Sequence, residues 1–199
     1  MADEQVQAVR ATATRPSAAR ERIVAAADRL FYDEGIHTVG VQRIVIEAGV
    51  TRVTFYRHFP SKDDLVDAYL ERRKQFDRDQ VGGIIAAYAG RPREALTELA
   101  TVLTRDDFAQ VQRGCPFINA SAEFTGTHPA RLQAYDVRRW VTERLEELLR
   151  EVGHRDPRAA AEQLMMIRTG AVVSGALDRN AHLTDDFLSA WAHTIDSGR

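Results

Sequence analysis

Residues 35–64 read GIHTVGVQRIVIEAGVTRVTFYRHFPSKDD. Val41, Ile44, Val45 and Ala48 recur at helical spacing, which predicts a short helix over 41–48. Gly49-Val50 supplies a tight turn, and a second short helix is expected from Arg52 to His58. Phe59-Pro60 ends it, because the residue before a proline avoids the helical region. Two short helices joined across a glycine describe a helix-turn-helix, whose second helix enters the major groove of a duplex. Thr51, Arg52, Thr54, Tyr56, Arg57 and His58 offer donors to phosphates or base edges, while Val50, Phe55 and Phe59 pack inward. Tyr56 alone could equally be a core aromatic with its hydroxyl at the surface. Arg52 and Arg57 alone would be solvated charges. Sharing one face with Thr51, Thr54 and Lys62 turns them into a candidate nucleic-acid surface.

The flanking sequence is helical throughout. Ile23, Ala27, Leu30 and Phe31 follow three- and four-residue steps after Ser17, and Gly35 stops that helix. Ser61 caps a long helix with Asp63 and Asp64 in its first turn. Leu65, Val66, Tyr69, Leu70 and Phe76 carry its apolar face, and Gly82-Gly83 should weaken or kink it. Further helices are expected from Pro92 to Leu103, briefly over 107–112, from Pro116 to Phe124 and from Pro129 to Val152. The penultimate helix runs from Pro157 to about residue 178, and the last starts at Thr184 with Leu188, Trp191, Ala192 and Ile195 as its stripe. Leu132, Tyr135, Val141, Leu145, Leu148 and Leu149 are expected to face inward from the 129–152 helix. No stretch sustains a period of two. The expected class is all-α, with roughly ten helices.

The string IVAAADRLFYDEGIHTVGVQRIVIEAGVTRVTFYRHFPSKDDLV, within residues 17–74, resembles the DNA-binding region of the TetR family of bacterial repressors almost without gaps. The resemblance implies a homodimer, a three-helix DNA-binding head and an all-α C-terminal domain that binds a small effector. It implies that Tyr56, His58 and Lys62 hold phosphates while Arg52, Val53, Thr54 and Arg57 face the bases. Gln42, on the preceding helix, completes the DNA-binding set with Thr51. The chain departs from the pattern at Gly40, where a capping Ser or Thr is usual, and at Val45 and Ile46, which replace a small and a polar residue. Val53 stands where glycine or alanine is frequent, offering an apolar contact to a base.

The expected organisation is a flexible arm over 1–15, a helix-turn-helix domain over 16–75 and a helical effector-binding and dimerisation domain over 76–199. The 199 residues carry 27 Lys+Arg against 29 Asp+Glu, a net charge of −2. No global basic field therefore marks a nucleic-acid partner; any attraction must come from a local surface. Hydrophobic residues at 44% are enough for a core, which excludes disorder over most of the chain. The uncharged run Thr169 to Leu177 is far short of the roughly 20 residues of a membrane span. The N-terminus has no apolar block resembling a secretion signal, and a cytoplasmic location is expected. A single cysteine, Cys115, excludes an internal disulfide, and no histidine spacing suits a metal, so no cofactor or metal is expected.

In the C-terminal part, Phe117, Ile118, Phe124, Met165 and Met166 are candidate walls of a ligand pocket, with Asn119, Glu123 and Arg168 as orienting groups. Side chains of these types at helical spacing also build ordinary cores. The small residues of GAVVSGA, 170–176, permit close helix approach. With the 129–152 helix they suggest a dimer interface of two helices per subunit, 129–152 and 157–178. The resulting expectation is a non-enzymatic regulator that grips a palindromic DNA operator as a dimer and is released by a small apolar effector. Two rivals are an all-α enzyme using Cys115 with His128 as base, and a protein-binding adaptor that keeps the head without DNA affinity.

Overall fold

The computed structural model describes residues 17–104, 113–177 and 180–198. Among them are nine helices and no strand: α1 (Ala18–Glu34), α2 (Val41–Glu47), α3 (Arg52–His58), α4 (Lys62–Ala87), α5 (Pro92–Thr104), α6 (Pro116–Glu123), α7 (Pro129–Glu151), α8 (Pro157–Leu177) and α9 (Leu183–Asp196). The expected arm at 1–15 and the short helix at 107–112 lie outside the described residues.

The helix starts follow local chemistry. Ser17 Oγ accepts the Arg20 N–H ahead of α1. Ser61 and Asp64 form a reciprocal capping box at α4. Prolines open α5, α6, α7 and α8, where a missing N–H costs nothing. Gly49 adopts φ +60, the left-handed conformation that turns the chain between α2 and α3.

Helices α1, α2 and α3 gather around the first half of α4. Ile23, Phe31, Ile44, Phe55, Leu65, Val66 and Tyr69 are all buried there, and the Phe31 and Tyr69 rings meet edge-on at 5.5 Å. Full burial of a side chain such as Phe55 contributes about 2–3 kcal/mol. A second core joins α5, the C-terminal half of α7, α8 and α9 through Leu96, Leu145, Leu149, Leu164 and Trp191. Trp191 Nε1 donates to the Leu96 carbonyl at 3.0 Å, so its one polar atom is satisfied inside that core.

The first core continues past the head. Cys115, Phe117, Ala120 and Phe124 around α6, and Ala130, Ala134 and Val137 of α7, pack into the same cluster as α1–α4. Helix α4 runs unbroken from one core toward the other.

Several inward and outward expectations change. Gly82-Gly83 does not interrupt α4, which continues to Ala87 with Val81, Ile84 and Ile85 packed against the second core. Leu132 and Tyr135 face outward, Tyr135 being 62% exposed, because α7 turns its small residues Ala130 and Ala134 inward instead. The larger stripe gives way to the one that allows closer helix approach. Phe76 and Ala192 are also exposed, lying off the faces set by Leu65–Tyr69 and Phe187–Trp191.

Candidate nucleic-acid interface and interior cavities

Helix α3 is held from below by Phe55 and Phe59, both buried, with Arg20 lying over the Phe59 ring at 5.1 Å. That anchoring turns the opposite face outward. Thr51, Arg52, Val53, Tyr56 and Arg57 are exposed, as is Gln42 on α2; Thr54 and His58 are half-buried. Val53 is 81% exposed and Ile46 on α2 is 64% exposed, two apolar side chains standing in solvent beside the same ridge.

Most arginines of the head outside this ridge are tied down within the head: Arg20 lies over the Phe59 ring, Arg22 donates to the Ala48 carbonyl at 3.2 Å, and four others pair with carboxylates. Arg29 pairs with Glu47 at 2.8 Å, Arg43 with Glu34 at 3.6 Å, Arg72 with Glu21 at 3.3 Å and Arg73 with Asp28 at 2.6 Å. Among the described residues no ion pair joins Arg52 or Arg57 to a carboxylate; Arg52 instead lies over the Tyr56 ring at 5.6 Å. Two exposed guanidiniums on one short helix are thus available to an external anion.

Three ridge residues also have structural work. Thr51 Oγ1 accepts the Thr54 N–H at 3.1 Å, capping α3, and its hydroxyl meets that of Thr54 at 2.9 Å. The His58 ring Nε2 lies 3.2 Å from Ser17 Oγ, tying the end of α3 to the start of α1. Lys62 is half-buried, its Nζ 5.9 Å from the Phe31 ring centre, and burial pushes its ammonium below the usual lysine range against the raising effect of Glu123 and Asp63. Gly40 precedes α2 with no side-chain cap, and a β-carbon there would meet nothing within 4 Å.

Among the described residues of the C-terminal part, two cavities of about 290 and 350 Å³ open side by side, and a smaller one of about 190 Å³ lies between α6 and α8. Phe117, Ile118, Met165 and Arg168 of the sequence-derived set line the first, and Met165 and Arg168 line the second as well. Asp77 and Val141 are likewise common to both, so the two spaces adjoin along one wall. Burial holds the Asp77 carboxyl above the ordinary aspartate range, against the lowering influence of Arg168 and Arg73. Nothing in the local pattern around Asp77 marked it: α4 is mostly polar there.

Two expected walls, Met166 and Phe124, and two expected orienting groups, Asn119 and Glu123, do not line these two cavities; Asn119 lines the smaller third one. Met166 is exposed on the outer face of α8. Asn119 Nδ2 donates to the Arg113 carbonyl at 2.7 Å, which fixes the turn ahead of α6. Phe124 stacks on His128 at 4.0 Å. Glu123 accepts the backbone N–H groups of Ile36 at 3.0 Å and His37 at 2.7 Å, bridging α6 to the loop after α1. Gly35, at φ +93, keeps that approach open, since a β-carbon would lie 3.3 Å from Arg113 Nη1 and 3.5 Å from Glu123 Oε1. Tyr32, donating to the Gly114 carbonyl at 3.0 Å, and Gln133, donating to Asp67 at 3.0 Å, add two further ties.

Cys115 is buried against the first cavity, and His128 caps α7 by accepting the Ala130 N–H through Nδ1. Among the described residues no group of three His, Cys, Asp or Glu could hold a metal, and no helix is long and apolar enough to cross a membrane.

The sequence model described as bacterial regulatory proteins, tetR family, matches residues 23–69, the segment that builds the ridge and its supporting core. A TetR-family transcriptional regulator from Streptomyces coelicolor is 36% identical, covers 91% of this chain and 96% of its own, and superposes with a TM-score of 0.81. An uncharacterised helix-turn-helix transcriptional regulator of Mycobacterium tuberculosis is 39% identical over 61 residues, which span 31% of this chain and 30% of that protein. The structure of SmeT in complex with triclosan is similar in fold alone, at 21% identity, TM-score 0.71 and 91% coverage of both chains.

Proposed function

This chain belongs to the TetR family of bacterial regulatory proteins and is a DNA-binding transcriptional regulator; we propose that it acts as a repressor released by a small molecule. Residues 16–75 form the DNA-binding head, and residues 76–199 the part that dimerises and takes the effector, in a cytoplasmic protein without catalytic activity or cofactor.

The observation that carries the DNA reading is the pair of exposed guanidiniums Arg52 and Arg57 on α3, unpaired with any carboxylate among the described residues and flanking the exposed Val53. Arg52, Val53, Thr54 and Arg57 read base edges. Gln42, Thr51, Tyr56, His58 and Lys62 contact the phosphate backbone, His58 and Thr51 doing so while also bracing the head. Two copies pair through α7 and α8. Met166, Gly170, Val173 and Leu177 recur down one exposed face of α8 at helical spacing, Leu177 being 77% exposed, and a second copy covers this apolar stripe. The pair presents two α3 helices to successive major grooves, about 34–36 Å apart, of a near-palindromic site.

The effector occupies the cavities bounded by Phe117, Met165 and Arg168. Triclosan bound to SmeT is a precedent for a small apolar molecule within the same fold. Because α6 both walls a cavity and grips the head through Glu123, a ligand that fits one placement of α6 better than another shifts the head positions by that difference in affinity.

Selection of bound fragments from genomic DNA, followed by salt titration on the selected site, tests this. Lys62→Ala should weaken all sequences and reduce the salt slope by about 0.9. Arg52→Ala and Arg57→Ala should relax sequence preference. Equal affinity of wild type and all three variants would reject the assignment.

A further inference from the structure

The two adjoining cavities have apolar walls but an unbalanced set of charges. Among the described residues four arginines, Arg131, Arg138, Arg144 and Arg168, line one or both, against one acid, Asp77. Two of the four are engaged by the protein. Arg131 donates to the Ser121 carbonyl at 2.9 Å, and Arg138 donates to Thr169 Oγ1 at 3.1 Å and lies 3.8 Å from Glu162.

The other two are incompletely satisfied. Arg168 stands on the wall common to both cavities, and among the described residues its guanidinium makes no hydrogen bond or ion pair, feeling Asp77 only at longer range. Arg144 gives Nη2 to Glu147 at 2.5 Å, but its Nε is buried and, among the described residues, has no acceptor. A buried donor without a partner is costly, and an external acceptor relieves that cost.

We propose that the effector is an amphiphilic anion: an extended apolar body carrying one carboxylate-like group, held by Arg168 with Arg144 as second donor. This rests on the reading that the cavities are the effector site, and it adds the charge class of the molecule. A cationic ligand is disfavoured. Among the described residues it would have Asp77 alone as counter-charge, facing four arginines.

Three probes of equal chain length separate the possibilities: dodecanoate, dodecan-1-ol and dodecyltrimethylammonium. Each is titrated below its micellar concentration into the full-length protein by calorimetry, and operator affinity is measured in parallel. Dodecanoate should bind at least about tenfold more tightly than the alcohol, the worth of a charge-assisted hydrogen bond in an apolar site. Arg168→Met and Arg144→Met should each shrink that gap. Asp77→Asn, which keeps the side-chain shape and removes the competing charge, should widen it.

Equal affinities for dodecanoate and the alcohol, a preference for the cation, no binding by any probe, or a gap unmoved by all three variants would each overturn the proposal. The operator measurement isolates the underlying reading. If dodecanoate and alcohol bind equally and both release DNA, the effector site stands and the anion assignment falls. If dodecanoate binds with the expected preference while operator affinity stays constant, the anion assignment stands and the effector role falls.

Discussion

The Glu123 carboxylate accepts the backbone N–H of His37 at 2.7 Å, and the His37 ring donates from Nε2 back to the Glu123 carbonyl at 2.8 Å. A single residue of α6 is thereby joined to the loop between α1 and α2 by side chain and main chain together. Removing the carboxylate leaves the Ile36 and His37 amides to partly accessible solvent. Glu123→Ala should therefore cost about 1–2 kcal/mol in urea unfolding, and Glu123→Gln, which keeps one acceptor, less. An unchanged midpoint for Glu123→Ala would show that the clasp contributes nothing.

Asp77 gives a pH-dependent prediction. Its folded-state carboxyl titrates above the unfolded one, because burial disfavours its charge. Between the two values the native chain binds more protons than the unfolded chain, so stability falls as pH rises through that window. Asp77→Asn should accordingly be more stable than wild type at neutral pH, with the advantage disappearing as pH falls into the carboxylate range. Thermal unfolding across that range reads the difference, and an advantage that grows toward acid would contradict it.

Gly40 precedes α2 at φ −83 and ψ 155, a backbone that any residue adopts, with open space where a β-carbon would stand. Gly40→Ser places a hydroxyl at an uncapped helix start and reduces the freedom of the unfolded chain. The expected gain is about 0.5–1 kcal/mol in denaturant unfolding.

Val173 lies in the exposed apolar stripe of α8. If a second copy covers that stripe, Val173→Glu buries an unpaired charge in the interface, at a cost of about 3 kcal/mol or more, and weakens association over a hundredfold. Sedimentation at micromolar protein should show monomers, with operator binding lost in parallel. Persistence of the wild-type association state would place the contact elsewhere.

Trp191 is buried, with its indole N–H on the Leu96 carbonyl. Trp191→Phe removes that hydrogen bond and trims a buried ring, so a loss of about 1–3 kcal/mol is expected in unfolding experiments.

The readable parts of the sequence were those governed by neighbours. Ser17, Thr51 and Ser61 each cap a helix through a bond three residues away, and their helices begin where the pattern places them. The α3 ridge was legible because Phe55 and Phe59 could face only one way once the helix existed. Two apolar stripes run along α7, and the sequence alone does not choose between them; the close approach of α6 buries Ala130 and Ala134 and leaves Leu132 and Tyr135 outside. The bonds of Glu123 to Ile36 and His37 leave no trace in its own segment, because those partners lie more than eighty residues away.

Composition, caps and helical periodicity by themselves determined an all-helical chain bearing an outward recognition helix, because each acts through bonds and contacts within a turn or two. The tertiary structure alone decided which cations remain without a carboxylate, which helix face is buried and what lines the cavities. Asp77, Arg144 and Arg168 come from three different helices, and only long-range packing of α4, α7 and α8 brings their charges to one apolar space.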